Sequence, residues 1–353
     1  MGSEILFFSI FLVFVFAVLL LDLGVFSKNN HRVGFTEASI WSVVWVAISL
    51  SFYFFLIHFG YLVHGLDSLD ELQRNIAIYK HPINISGLSF EDAMKVYEKN
   101  LALEYLTGYI IEKSLSVDNI FVIILIFYAF GVEEKYYKRV LMWGIIGAVI
   151  MRFIFIFAGA ALVREFDWVL IIFGVFLVFT AFKLFVDRNK TDNIEPEKHP
   201  IVRFTSKYFR VHKHYEGQKF FIRKQGKLFI TPLFIVLLVI EFSDVIFAVD
   251  SIPAIFAVSK DPYIIFFSNI FAILGLRALF FLLANVLSKF YYLKVGLAAL
   301  LGFIGVKMLV HKYLEAIGFE TVHSLYIILA ILVLSILASI LFPPSKVAEK
   351  KDS

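Results

Sequence analysis

The sequence predicts an all-α, polytopic membrane protein with nine transmembrane helices, six of which form two inverted three-helix repeats. Composition, the placement of Lys and Arg, and an internal duplication carry that expectation. Of 353 residues, 60% are hydrophobic and 18% charged, and the mean hydropathy is +0.83. A soluble chain of this length has too little interior to hide that much apolar surface. Cysteine is absent, which excludes disulfides, thiolate metal sites and thiol nucleophiles. The 42 phenylalanines are read as lipid-facing and core filler.

Nine apolar stretches approach the ~20 residues a bilayer-crossing helix needs. They are Ile5–Phe26, Ile40–Leu62, Leu103–Phe130, Val140–Val163, Trp168–Val186, Leu228–Val258, Tyr263–Leu287, Leu293–Val310 and Leu325–Phe342. The first has no basic start and no small-residue cleavage site, so it is expected to be a retained helix and not a signal peptide. Ser89-Phe90-Glu91-Asp92 fits a capping box that opens a short amphipathic helix before the third stretch.

Positive charge orients the spans. The loop 188–228 holds 11 Lys/Arg against 4 Asp/Glu and is assigned to the cytoplasm of an inner, or plasma, membrane. Loops 27–39 (Lys28, Arg32) and 131–139 (Lys135, Lys138, Arg139) then fall inside, as does the tail with Lys346, Lys350 and Lys351. Loop 65–100, with six acids and four bases, falls outside, together with the base-poor connections 163–167, 259–262 and 311–324. The N-terminus is expected outside and the C-terminus inside. His199, His212 and His214 in the basic loop raise the option of a regulatory metal site. Its basic residues and interleaved aromatics are read as a topology signal touching anionic lipid, not as a nucleic-acid site.

An acidic motif occurs twice. Glu112-Lys113-Ser114-Leu115-Ser116-Val117-Asp118-Asn119-Ile120 aligns with Asp244-Val245-Ile246-Phe247-Ala248-Val249-Asp250-Ser251-Ile252. One helix later Arg152 matches Arg277, and a further helix on Lys183 matches Lys307. The chain therefore divides into two helices and an outer loop (1–102), a first repeat (103–187), the basic loop (188–228), a second repeat (229–312), and a last helix with its tail (313–353). An odd number of helices per unit, with the connecting loop starting and ending on one side, inverts the second unit, as in many secondary transporters.

The charges within these helices are the candidate site. A carboxylate at bilayer depth costs at least ~2.5–3.5 kcal/mol and needs a partner. Glu241 and Asp244 share a helix face, being three apart. Asp250 lies about 240° around from Asp244, and Asp118 likewise from Glu112. Either the acids have different partners, or each helix is broken so that both turn inward. Lys113, Arg152 and Arg277 are the expected structural counter-charges, and five acids exceed these three bases. Lys113 has the reach to snorkel outwards, while Lys183 and Lys307 are read as interfacial anchors. Glu104, Asp22, His58, His64 and His311 lie near span ends, where solvation accounts for them. Carboxylates with Asn119, Ser and carbonyl oxygens suit a hard divalent cation such as Mn²⁺, Mg²⁺ or Ca²⁺. Acids in excess of the metal ligands can carry protons, and Glu241, whose counterpart is Tyr109, is the first candidate.

Glu104–Val122 and Val239–Val258 closely resemble the paired motifs of the TerC family, and similarity extends over most of 103–312. The resemblance implies Mn²⁺ export from the cytoplasm, with Glu112, Asp118, Asn119, Glu241, Asp244 and Asp250 as metal ligands. The loop 65–100 is longer than the family pattern suggests. No tightly bound cofactor and no enzymatic activity are expected. Glycine-rich nucleotide loops are absent, as are the YD and GxGD signatures of intramembrane aspartyl proteases. The different-class alternative is a non-transporting membrane scaffold or assembly factor whose acids pair with Arg. Nothing in the sequence specifies an oligomeric state.

Overall fold

The computed structural model describes residues 2–27, 34–166, 168–186, 199–212, 214–284, 292–310, 313–314, 319 and 321–342. The side chains of 2–3, 21–27, Asp118, Phe121, Val249, Asp250, Leu293, Lys294 and Thr321 are outside that description. Expectations resting on Asp22, Lys28, Arg32, His311 and the basic tail therefore lie outside the described residues.

The described chain is helical apart from one two-stranded hairpin, a small departure from the all-α expectation. Helix α1 spans Gly2–Ser27 and α2 Phe35–Phe59. A single turn, α3 (Tyr61–His64), ends at Gly65, whose φ of 62° needs no Cβ. Helix α4 (Leu69–Tyr79) starts where Ser68 accepts from the Glu71 amide, and buries Leu72 and Asn75 on one face.

Helix α5 runs without interruption from Phe90 to Ala129, 40 residues. Ser89 caps it as expected, accepting from the Asp92 amide at 3.3 Å. The short helix it was expected to open is instead the first part of this long one. At 1.5 Å per residue α5 is about 60 Å long, roughly twice a bilayer's hydrocarbon core. Helices α6 (Glu134–Glu165) and α7 (Trp168–Val186) follow.

The basic segment is partly structured. Helix α8 spans Pro200–Tyr208, and strands β1 (Phe221–Lys224) and β2 (Lys227–Ile230) pair antiparallel with Phe221 opposite Ile230. Gln225 (φ 53°) and Gly226 (φ 73°) supply the two left-handed residues of a tight hairpin turn. The sixth apolar stretch therefore begins as strand at its first residues, and helix α9 starts at Pro232 and runs to Phe256. Thr231 caps it, accepting from the Phe234 amide and donating to the Lys219 carbonyl at 2.7 Å. His212 meets the Lys224 ammonium at 3.0 Å, a cation where a metal ion would have to sit.

Both motif-bearing helices, α5 and α9, are continuous, so the broken-helix option is not adopted there. The break falls one helix later. Helices α10 (Pro262–Leu274) and α11 (Leu276–Ala284) meet at Gly275 with a 43° bend. A Cβ on Gly275 would lie 3.0 Å from Trp45 Cβ and 2.8 Å from Lys113 Nζ. The Lys113 ammonium donates to the Ala272 carbonyl at 3.2 Å, beside the bend. Lys113 thus turns inward and does not snorkel. Helices α12 (Leu293–Leu309) and α13 (Thr321–Leu341) complete the chain.

Among the described residues, five helices are long and apolar enough to cross a bilayer: α2, α6, α7, α9 and α13. They become six if the bent pair counts as one span. Their outer faces expose Ile171, Phe182 and Leu334, as lipid-facing residues would. Inside, Phe11 and Phe52 pack α1 and α2 onto α10, with ring centroids 4.4 Å from Phe267 and 4.9 Å from Phe271. Phenylalanine therefore serves both roles the composition suggested.

Helix α5 packs on α9 and α10, α6 on α9 and α10, and α7 on α12. Gly174 and Gly305 let the last pair approach closely, a Cβ on Gly305 falling 2.9 Å from the Gly174 carbonyl. At one end of α5, His64 and His81 meet Asp261 and Glu104. At the other, Tyr215 donates to the Phe130 carbonyl at 2.7 Å.

Candidate functional site

Helices α5, α6, α9 and α10 bring one charged group together. Glu112 of α5 is fully buried. Its Oε2 lies 2.5 Å from Arg152 Nη1 of α6, and its Oε1 accepts from Ser116 at 3.3 Å. The same Arg152 nitrogen donates to Asn269 Oδ1 of α10, whose amide donates to the Ile265 carbonyl at 2.9 Å. A guanidinium terminal nitrogen carries two hydrogens, so one atom ties three helices. The half-buried Asp244 of α9 feels both the Arg152 charge and the Glu112 charge. Glu241, one turn earlier, interacts with Asp244 and lies directly against Gly147 of α6, where any Cβ would collide with its carboxylate. Two carboxylates, Glu112 and Asp244, thus share Arg152, Glu241 reaches the group through Asp244, and Lys113 adds its charge to Glu112 at longer range. The described group holds three acids and two bases.

A small cavity adjoins this charged group along the same helices. Asn119 is buried, and with Ser251, Thr180 and Phe247 it lines a cavity of about 60 Å³ between α5, α7, α9 and α12. The Ser251 hydroxyl is buried there without a hydrogen-bond partner among the described residues. A polar cavity of that size has room for water or a small ion. Asn119 and Ser251 occupy equivalent positions in the two motifs. Each sits seven residues, two turns and about 10 Å, beyond Glu112 or Asp244 on its own helix, and because α5 and α9 run antiparallel the two steps point in opposite directions.

Of the predicted ligands, Glu112, Asp244 and Glu241 are linked through charge interactions, and Asn119 lines the neighbouring cavity. Among the described residues no three of His, Asp and Glu are arranged to hold a metal ion by themselves. Asp118 and Asp250 are neighbours in sequence of Asn119 and Ser251, and their side chains lie outside the described residues. Arg152 is a counter-charge as expected. Arg277 is buried at the start of α11, within electrostatic reach of Lys138.

A further polar cluster was not foreseen. Glu104 and His64, expected to be solvated, are 2% and 4% exposed. His64 Nδ1 meets Glu4 Oε1 at 3.0 Å, and its Nε2 meets Asp261 Oδ2 at 2.8 Å. A neutral imidazole has one N–H, so two carboxylate partners require the cation. Burial disfavours that charge, but Asp261 and Glu4 outweigh it and raise the His64 pKa to about 9. Ser259 donates to Glu104 Oε2 at 2.5 Å, while Asn100 (2.7 Å) and His81 (2.9 Å) bond Oε1. The signal was readable: Tyr97, Leu101, Tyr105 and Glu112 mark the buried stripe of α5, and Glu104 lies on it. Lys307, read as an anchor, is likewise turned inward, donating to the Ala257 carbonyl at 3.0 Å.

A bundle of long apolar helices around buried acidic and basic side chains defines a multi-pass integral membrane protein. The chain belongs to the TerC family of integral membrane proteins, whose model matches residues 97–347. An uncharacterized membrane protein of Myxococcus xanthus, STKORF319, is 42% identical over 331 residues, covering 94% of this chain and 91% of its own. Alx of Escherichia coli K12, named as a candidate membrane-bound redox modulator, is 42% identical over 301 residues, covering 85% and 84%. An uncharacterized membrane protein of Rickettsia bellii is 40% identical over 332 residues, covering 94% and 96%. No solved structure matches the chain.

Proposed function

We propose that the protein exports a hard divalent cation, Mn²⁺ first, from the cytoplasm by alternating access between its two repeats. The supporting observation is the pairing of an over-acidic buried group with a polar cavity lined by equivalent residues, Asn119 and Ser251. Excess buried negative charge is costly unless a cation or proton visits it. The most extensive helix contacts also match when α5, α6 and α7 are exchanged with α9, α10 and α12: α5 meets α10 as α6 meets α9, and α7 meets α12. This pattern favours repeats related by a pseudo-twofold axis; the proposed topology, from the placement of Lys and Arg, is nine spans in an inner membrane with the N-terminus outside and the C-terminus inside. Asp118, Asp250 and Asn119 are proposed as ligands at the cavity, and Glu112, Asp244 and Glu241 as the acids that balance cation and proton.

Cells expressing the protein are expected to hold less Mn²⁺ under Mn²⁺ load than cells without it. Asp118→Asn and Asp250→Asn should each abolish that difference. An unchanged Mn²⁺ content with the wild-type protein would sink the proposal. Glu241 is proposed as the proton carrier, since it interacts with Asp244 and has no acidic counterpart. In proteoliposomes Glu241→Gln should still bind Mn²⁺ while its flux no longer responds to an imposed pH gradient. A gradient response equal to wild type would remove Glu241 from that role.

The direct Glu112–Arg152 pair favours the alternative, a scaffold whose acids only lock helices together. A scaffold moves no ion in liposomes. The redox role in the name of the Escherichia coli relative cannot operate here through thiols, because the chain has no cysteine. A Mn²⁺ exporter would influence redox balance through the metal instead.

A further inference from the structure

The two repeats carry equivalent connections at opposite ends of the bundle, and the two differ in how they are held. In the second repeat, residues 257–261 join α9 to α10 at the His64 end, which is extracytoplasmic in the proposed topology. Val258, Ser259 and Asp261 are buried there, although a connection ordinarily runs over the surface. Ser259 donates to Glu104 of α5 at 2.5 Å, which binds the second repeat to the first. His81, from the segment after α4, meets the other Glu104 oxygen at 2.9 Å. Asp261 meets His64 of α3 at 2.8 Å, and His64 extends the tie to Glu4 of α1. Lys307 of α12 donates to the Ala257 carbonyl at 3.0 Å, a cation at the C-terminal end of α9. In the first repeat, residues 130–133 join α5 to α6 at the opposite end. Gly131 and Glu133 are exposed there, and Tyr215 of the basic segment donates to the Phe130 carbonyl at 2.7 Å. The cavity lined by Asn119 and Ser251 lies between these ends. Ser251 stands eight residues, about 12 Å of helix, from Ser259, and Asn119 eleven residues, about 16 Å, from Phe130.

We propose that the Glu104–Ser259 and His64–Asp261 contacts latch an outer gate, which makes this structure the outward-closed state of the transport cycle. The inference rests on the alternating-access reading and assigns the contacts that break when the cation is released. Access alternates when one end of an inverted pair parts while the other closes. The buried, multiply bonded connection is the closed end, and the exposed one is the end free to part. The latch also has a reason to open. His81 Nε2 is buried without a hydrogen-bond partner among the described residues, and water admitted between parted helices would satisfy it.

The chain has no cysteine, so Ser251→Cys places one thiol in the cavity of the full-length protein. A membrane-impermeant maleimide is applied to right-side-out and to inside-out vesicles. With the latch intact, the thiol is expected to react at least tenfold faster from the cytoplasmic face. Adding Glu104→Gln should raise the rate from the outer face at least tenfold and lower it from the cytoplasmic face. Ser259→Ala, which leaves every charge in place, is the milder variant and should shift both rates in the same directions. A general loosening raises both rates together, and that result in the two variants would overturn the proposal. So would unchanged rates in folded variants, or a faster outer reaction with the latch intact. Mn²⁺ flux is measured in parallel in proteoliposomes with Ser251 unaltered. Flux without the labelling shift removes the latch and keeps export, whereas the labelling shift without flux keeps the latch and removes export.

Discussion

Replacing Arg152 with Gln is expected to destabilise the folded protein by about 3–5 kcal/mol, because it leaves Glu112 buried without its cation. The expected loss is large because Arg152 also holds Asn269, so α5, α6 and α10 lose a common tie. Glu112→Gln/Arg152→Gln should recover much of the stability, since removing both charges removes the buried imbalance. Arg152→Lys should fall between, because a single ammonium does not reproduce the planar guanidinium. Thermal unfolding in detergent across this set gives the coupling energy. A double variant no more stable than Arg152→Gln would mean that the pair is not the reason for the loss. The double variant also separates the two functional readings. A scaffold with restored stability keeps its role, whereas an exporter that needs Glu112 stays inactive.

His64 sets the second expectation. Its pKa of about 9 stands about 2.5 units above the ordinary value of 6.5 because the Asp261 and Glu4 carboxylates outweigh burial. At 1.36 kcal/mol per unit, that is on the order of 3 kcal/mol. A raised folded-state pKa stabilises fully below the unfolded value, so the contribution is complete below about pH 6.5. It declines as pH rises and is lost once pH passes about 9. Wild type should therefore exceed His64→Gln in stability at pH 6, and the gap should narrow steadily towards pH 10. Tyrosines and lysines titrate in the same alkaline range, so the difference between the two proteins is the quantity to measure. A gap that stays constant from pH 6 to pH 10 would show that His64 does not carry the charge.

The reach of sequence reasoning followed the range of each interaction. Hydropathy, the cap at Ser89 and the acid-rich motifs are properties of neighbouring residues, and they read directly, whereas the cap at Thr231 lay hidden inside the expected span. The Gln225-Gly226 hairpin was passed over because the apolar run through Leu228–Ile230 looks the same as strand or helix. The bend at Gly275 was hidden because its cause, Trp45 and Lys113, comes from two other helices. Glu104 and His64 were assigned to solvent from their nearness to span ends. Their partners, Ser259 and Asp261, stand 155 and 197 residues away.

From the chain alone came the membrane class, the family resemblance, the duplicated motif and the expectation that Arg152 answers a buried acid. Those conclusions rest on composition, spacing and total charge, which survive without knowing how the helices pack. Packing was needed to bring Asn119 and Ser251 to one cavity, and to aim the Lys113 ammonium at the Ala272 carbonyl. A helix fixes only the angle and height of each side chain on its own axis. Which charges meet depends on the height at which the next helix crosses, and that is settled by contacts such as Gly147 against Glu241.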